Sequence, residues 1–181
     1  MVVQMIPMLC IYPLLKRTTR WPQIWLGFTI NIGYVWSWLS IGDLSLFSFP
    51  LYTNLYMMGA LWCWTMVYDT IYGCQDEEDD MTIGVRSTPM SIGSVIPASI
   101  FFAVVMVGLV FAAGVTSFHR ETYFVFCIGG SSVFFIWKFA TLDLNSEHSC
   151  WSFFIHNAFY LGFIVYVGLL VDYIRIIVGW Y

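Results

Sequence analysis

The stretch YTNLYMMGALWCWTMVYDTIYGCQDEEDD (52–80) carries the reading of the whole chain. Residues 52–72 are apolar and aromatic, and long enough for the ~20 residues that a membrane-crossing helix needs. The remainder is acidic: six of the chain's eleven acidic side chains fall between Asp69 and Asp80. On a single helix at about 100° per residue, Asp69, Tyr72, Asp76 and Asp80 lie within about 80° of one another. The expectation is a stripe of three carboxylates and a phenol along one face. Carboxylates so close repel each other unless a proton or cation sits between them. Hard carboxylate oxygens suit Mg2+ or Ca2+, and Mg2+ usually takes one or two carboxylates together with phosphate oxygens. The plainer alternative is a solvated helix end that keeps a loop in water. Against it, Asp69 and Tyr72 lie inside the apolar run, where a polar group is costly and usually functional. The alternating acids and central glycine of an EF-hand loop are missing.

Working outward, composition sets the class. The chain has 181 residues, 60% of them hydrophobic, 20% aromatic and 10% charged. Soluble domains carry about 25% charged residues, so this is a polytopic membrane protein. The net charge of −4 comes almost wholly from the acidic stretch. No basic patch supports nucleic-acid binding. Cys10, Cys63, Cys74, Cys127 and Cys150 have no CxxC spacing and read as packing residues.

Residues 1–15 read as the tail of a helix, too short to span comfortably, followed by a basic loop of Lys16, Arg17 and Arg20. Pro22 suits the first turn of the next helix. Spans follow at 21–41, 52–72, 95–116, 122–140 and 153–172, with a short loop at 42–50 and a polar loop at 73–93. The fold class is an all-α polytopic bundle of about five full spans plus one partial N-terminal helix. Asn31 in the first full span is expected to hydrogen-bond across helices. Asp143 reads as a loop cap, and His119, His148 and His156 as loop or interface residues without metal-ligand spacing. Alternation puts the basic loop, the acidic loop and TLDLNSEHSC (141–150) at one end. Lys16, Arg17, Arg20 and Arg86 lie there, with Lys138 near; Arg120 and Arg175 lie opposite. The positive-inside rule makes that end cytoplasmic, or matrix-facing in a mitochondrion. Cations and carboxylates then converge at one mouth, as a Mg2+-diphosphate site requires.

Four blocks resemble the UbiA family of intramembrane prenyltransferases, above all its 4-hydroxybenzoate polyprenyltransferases. YPLLKRTTRWPQIWLGFTIN (12–31) is similar to the family's YP-x-x-KR-x-x-x-x-PQ-x-x-LG block. YDTIYGCQDEEDDMTIGVRST (68–88) resembles its second aspartate motif, D-x-x-Y-x-x-x-D-x-x-x-D, and the IG-[VI]-K-ST that follows. WKFATLDLNSEHSCWSFF (137–154) and HNAFYLGFIVYVGLLVDY (156–173) resemble its last loop and last helix. The resemblance implies a single UbiA-like membrane domain over 1–181, lacking the family's first three helices. The first aspartate motif, N-D-x-x-D-x-x-x-D, does not occur in the chain, and Arg86 stands where a lysine is usual.

The activity implied is transfer of a polyprenyl group from its diphosphate to a phenolic acid such as a hydroxybenzoate, in quinone or meroterpenoid biosynthesis. The cofactor implied is Mg2+, held by Asp76 and Asp80. Asp69 and Tyr72 stand deeper as catalytic residues; Lys16, Arg17 and Arg86 bind the diphosphate or an acceptor carboxylate. The membrane is a mitochondrial inner membrane or an endomembrane. Two other readings stand beside this one. One is a non-catalytic or partner-dependent relative, given the absent first motif. The other is a cation channel, which predicts polar residues along several spans, whereas these are almost dry.

Overall fold

A computed structural model describes residues 2–41, 50–84 and 88–179. Arg86 and most of the 42–50 loop lie outside the described residues. Those that are described form helices and turns, with no strand among them. The helices are α1 (Val2–Thr18), α2 (Pro22–Ile41), α3 (Pro50–Tyr72), α4 (Glu77–Ile83), α5 (Thr88–Ile92) and α6 (Val95–Thr116). Two more run Glu121–Ala140 (α7) and Glu147–Val178 (α8). The last two each contain a π-helical segment, Phe124–Gly130 in α7 and Asn157–Leu161 in α8. By length and composition α6, α7 and α8 are long and apolar enough to cross a membrane. Helices α2 and α3 are as long, but their Trp, Tyr, Asn and Thr side chains make them less apolar.

The bundle is built on α3 against α6. Gly59 lets the two backbones approach, since a Cβ there would meet Leu109 Cδ1 at 3.1 Å. The pair is antiparallel: Thr53, near the start of α3, bonds Thr116, at the end of α6, at 2.8 Å. Cys63, Val67 and Ile71 from α3 and Ala103, Met106 and Val110 from α6 are buried in one core cluster. Asn31 ties α2 to α3 as expected, donating to Thr65 Oγ1 at 2.9 Å and Leu61 O at 3.2 Å. Helices α7 and α8 meet over a second small-residue contact, where a Cβ on Gly168 would sit 2.7 Å from Cys127 Sγ.

These contacts fix the two ends of the molecule. Gln75 donates to Glu147 O at 3.1 Å, so the acidic turn meets the start of α8. Lys16 reaches Asp80 at the same end. The loop at 141–146 is capped there by Asp143, which accepts from Asn145 N at 3.0 Å. The basic, acidic and 141–146 loops thus share one end of the bundle. Helix α8 runs 32 residues away from it, ~48 Å at the usual rise, and carries Asp172 to the opposite end.

Candidate active site

The span ends at Tyr72 as expected, and the single helix on which the acidic stripe was drawn does not continue through it. Helix α3 ends at Tyr72, residues 73–76 form turns, and α4 starts at Glu77. Within the turns Cys74 N bonds Ile71 O and Gln75 N bonds Tyr72 O, an i→i−3 pattern in place of the α-helical ladder. Gly73 sits where the chain changes course. A Cβ on it would lie 3.1 Å from Pro89 Cγ and 3.2 Å from Asp69 O, so glycine lets α5 close over the end of α3. The periodic pattern survives the break, which is why periodicity alone does not reveal it.

The break sends the four motif residues in two directions. Tyr72 turns to α8, its ring 5.2 Å from Phe154 and 6.1 Å from Trp151. Asp69 and Asp80 turn to α1 and α2. Lys16 Nζ, at the end of α1, lies 3.6 Å from Asp80 Oδ1 and close enough to Asp69 to act on it electrostatically. The phenol of Tyr12, one turn earlier, is near enough to interact with Asp69, Asp76 and Asp80 alike. The cluster is thus three carboxylates, one ammonium and one phenol, with Asp76 at the N-cap of α4.

Two residues not singled out in the sequence complete it. Gln23, 2% exposed on the first turn of α2, accepts from Thr88 N at 3.1 Å and from the Thr88 hydroxyl. Its amide also serves as a hydrogen-bond donor to Asp69. It therefore ties the end of α3 to α5. The available signal was the PQ pair of the 12–31 block, and the YP pair pointed equally to Tyr12. Arg17 is exposed at the end of α1. Lys138 does not join the cluster: it is buried between α7 and α8, its Nζ 3.2 Å from His156 Nδ1.

Electrostatically the cluster is unfinished. Asp69 Oδ2 and Asp80 Oδ2 are buried and have no hydrogen-bond partner among the described residues. A buried carboxylate oxygen left unpaired costs about 1–3 kcal/mol or more, so both atoms call for a donor or a cation. No group of three His, Cys, Asp or Glu among the described residues is close enough to hold a metal by itself. That fits Mg2+ held by one or two carboxylates with phosphate oxygens, and does not fit an all-protein cage. The neighbouring thiol is inert, since burial pushes Cys74 up to about 12. One turn deeper on α3 the cluster gives way to a pocket of about 290 Å3. Trp64, Tyr68 and Phe154 wall it, and Asn31 and Thr65 supply its polar atoms.

The UbiA prenyltransferase family profile matches residues 1–164. The chain belongs to the UbiA prenyltransferase family. It is 38% identical over 173 residues to the UbiA prenyltransferase claS of Ampulloclitocybe clavipes, covering 95% of this chain and 54% of that protein. It is 37% identical over 159 residues to the mitochondrial 4-hydroxybenzoate polyprenyltransferase of Homo sapiens, covering 87% and 41%. With 4-hydroxybenzoate geranyltransferase 2 of Lithospermum erythrorhizon the identity is 33% over 169 residues, covering 92% and 53%. The chain spans about half the length of these relatives. No solved structure matches it. In this UbiA member the D-x-x-Y-x-x-x-D-x-x-x-D segment at 69–80 lies across the break between α3 and α4.

Proposed function

We propose that this chain forms the second-motif half of an aromatic prenyltransferase site, moving a polyprenyl group from its diphosphate to a phenolic acid such as a hydroxybenzoate. The observation that carries the reading is the pair of buried, unpartnered oxygens on Asp69 and Asp80. They lie beside Lys16 at one end of the bundle, and α3 carries an aromatic pocket at Trp64 and Tyr68, one turn deeper. A prenyl diphosphate has the matching shape: a multiply charged head and an apolar tail.

In this reading Asp76 and Asp80 hold Mg2+, with Asp69 behind them. Bound there, Mg2+ supplies Lewis-acid stabilisation of the charge that grows on the leaving diphosphate. Lys16 and Arg17 neutralise the remaining phosphate charge, joined by Arg86 from the adjoining segment. Gln23 keeps Asp69 oriented. Tyr72, held by Trp151 and Phe154, sets the aromatic wall along which the allylic carbon lies; ring faces stabilise the cationic character that develops there. The pocket at Trp64, Tyr68 and Phe154 takes the first part of the tail and excludes water from the carbocation. The chain contains no N-D-x-x-D-x-x-x-D segment, so in this reading it supplies one of the two aspartate motifs that a site of this kind uses.

The test is transfer in membranes with Mg2+, labelled polyprenyl diphosphates of several lengths and a panel of hydroxybenzoates. It is run with this chain alone and with the three N-terminal helices of a relative supplied. EDTA-sensitive product that disappears in Asp76→Asn is the expected result with the added helices. Product that persists in EDTA, or in the variant, removes these residues from the site.

A further inference from the structure

The end of the bundle opposite the acidic mouth holds a second polar cleft. It measures about 720 Å3 and is lined by His119, Arg120, Glu121, Phe124 and Arg175. Its back wall is Asp172, fully buried on α8. That carboxylate takes His119 Nδ1 at 2.6 Å, Arg120 N at 3.1 Å and Thr122 Oγ1 at 3.0 Å. Its charge is therefore satisfied inward. With Nδ1 committed to Asp172, the imidazole of His119 has its Nε2 edge to offer elsewhere. The ring is held flat on Tyr123, centroids 4.3 Å apart and planes 8° apart. Tyr123 is pinned in turn by its hydroxyl donating to Val110 O at 2.8 Å. Among the described residues, two guanidinium groups and an oriented imidazole line the cleft with Glu121, while Asp172 behind them is taken up by its own donors.

A second cavity adjoins it. Val171, Ile174, Arg175 and Val178 line an apolar groove of about 430 Å3 along the last turns of α8. Arg175 lines both. A cationic cleft at the end of three apolar spans, continuous through one arginine with an apolar groove down the outer face of a helix, has the shape of a lipid: anionic head in the cleft, chain in the groove. We propose that this end binds an anionic phospholipid, with Arg175 and His119 contacting the phosphate and one acyl chain lying along Val171, Ile174 and Val178. A phosphate ion offers the same head chemistry but has no use for the groove. The proposal is independent of the transferase reading.

The test is native mass spectrometry of the whole 181-residue chain released from vesicles of phosphatidylglycerol and phosphatidylcholine. The chain retains phosphatidylglycerol preferentially, and Arg175→Gln lowers that preference about fivefold, the effect of one cation near a lipid surface. Glu121→Gln raises it by a similar factor, a gain that misfolding cannot mimic. Lys138→Gln, at the other end, leaves it unchanged. Equal retention in wild type and Arg175→Gln overturns the site. Full displacement of the lipid by millimolar inorganic phosphate overturns the lipid assignment in favour of a free anion.

Discussion

Two carboxylates, Asp80 and Asp172, sit at opposite ends of the same bundle and in opposite states. Asp172 is fully buried, and one oxygen takes His119 while the other takes Arg120 N and Thr122. Asp80 is nearly as buried, yet one oxygen has a single ammonium 3.6 Å away and the other has nothing among the described residues. Among the described residues the first arrangement is complete and the second is not. Burial alone would rank the two alike. What separates them is whether each lone pair has a donor, because a buried carboxylate is tolerable only when its charge is met.

The sharpest way to break this contrast is Asp80→Asn. With the three N-terminal helices of a relative supplied, transfer should fall on the order of 10²–10³-fold, the usual effect of removing one electrostatic stabiliser from a site. Helicity and membrane insertion should hold. Equal loss of fold and activity would make Asp80 another Asp172. The reciprocal change, Asp172→Ala, should act on stability instead. It strips three donors of their acceptor, and should lower unfolding free energy by about 2–3 kcal/mol, less than for a fully enclosed pair because His119 is part exposed. Thermal unfolding in detergent would register the loss, with Mg2+ titration at the other end unchanged.

A smaller effect tests how the acidic end is held. Gln23→Ala removes the acceptor for Thr88 and a donor for Asp69. Transfer should drop roughly tenfold and stability by about 1–2 kcal/mol; an unchanged transfer rate would make Gln23 a packing residue only. The smallest is a control from the middle of α6, away from both ends. A Cβ on Gly108 would meet nothing within 4 Å. Gly108→Ala should therefore be neutral or stabilise by up to about 1 kcal/mol, with lipid retention and transfer both intact.

The spans were legible because membrane burial writes itself into long apolar runs: 95–116 reappears as α6 residue for residue, and Pro22 starts α2 as its fixed φ requires. Asn31 was legible for the same reason in reverse, as a polar group in an apolar span that needed a partner across the interface. The end of the span at Tyr72 was legible from the start of the polar loop at 73; the change of course within the acidic stretch was not, since the 3,4,4 spacing is what an unbroken helix would also produce. Only Gly73 hinted at it, and a lone glycine is common in membrane helices. Tyr72 was therefore expected among the carboxylates, whereas its ring packs on Phe154 and Trp151. Gln23, Tyr12 and Thr88 were passed over for a different reason, although the PQ and YP pairs marked the first two. Uncharged polar residues far apart in the chain announce no chemistry until the fold brings them to Asp69. The two π-helical segments leave no periodic trace either. One extra residue per turn in a helix apolar on all sides changes nothing that hydropathy can register.

Helix α8 is ~48 Å long, whereas the hydrocarbon layer of a bilayer is ~30 Å. A rigid rod of that length must lean, or project from one or both leaflets, and the balance shifts with lipid thickness at a modest cost per ångström. Gln75 is fastened to its first residue and Asp172 stands near its last. The acidic turn and the His119–Asp172 pair are thus tied to the two ends of one helix that is longer than the layer it crosses.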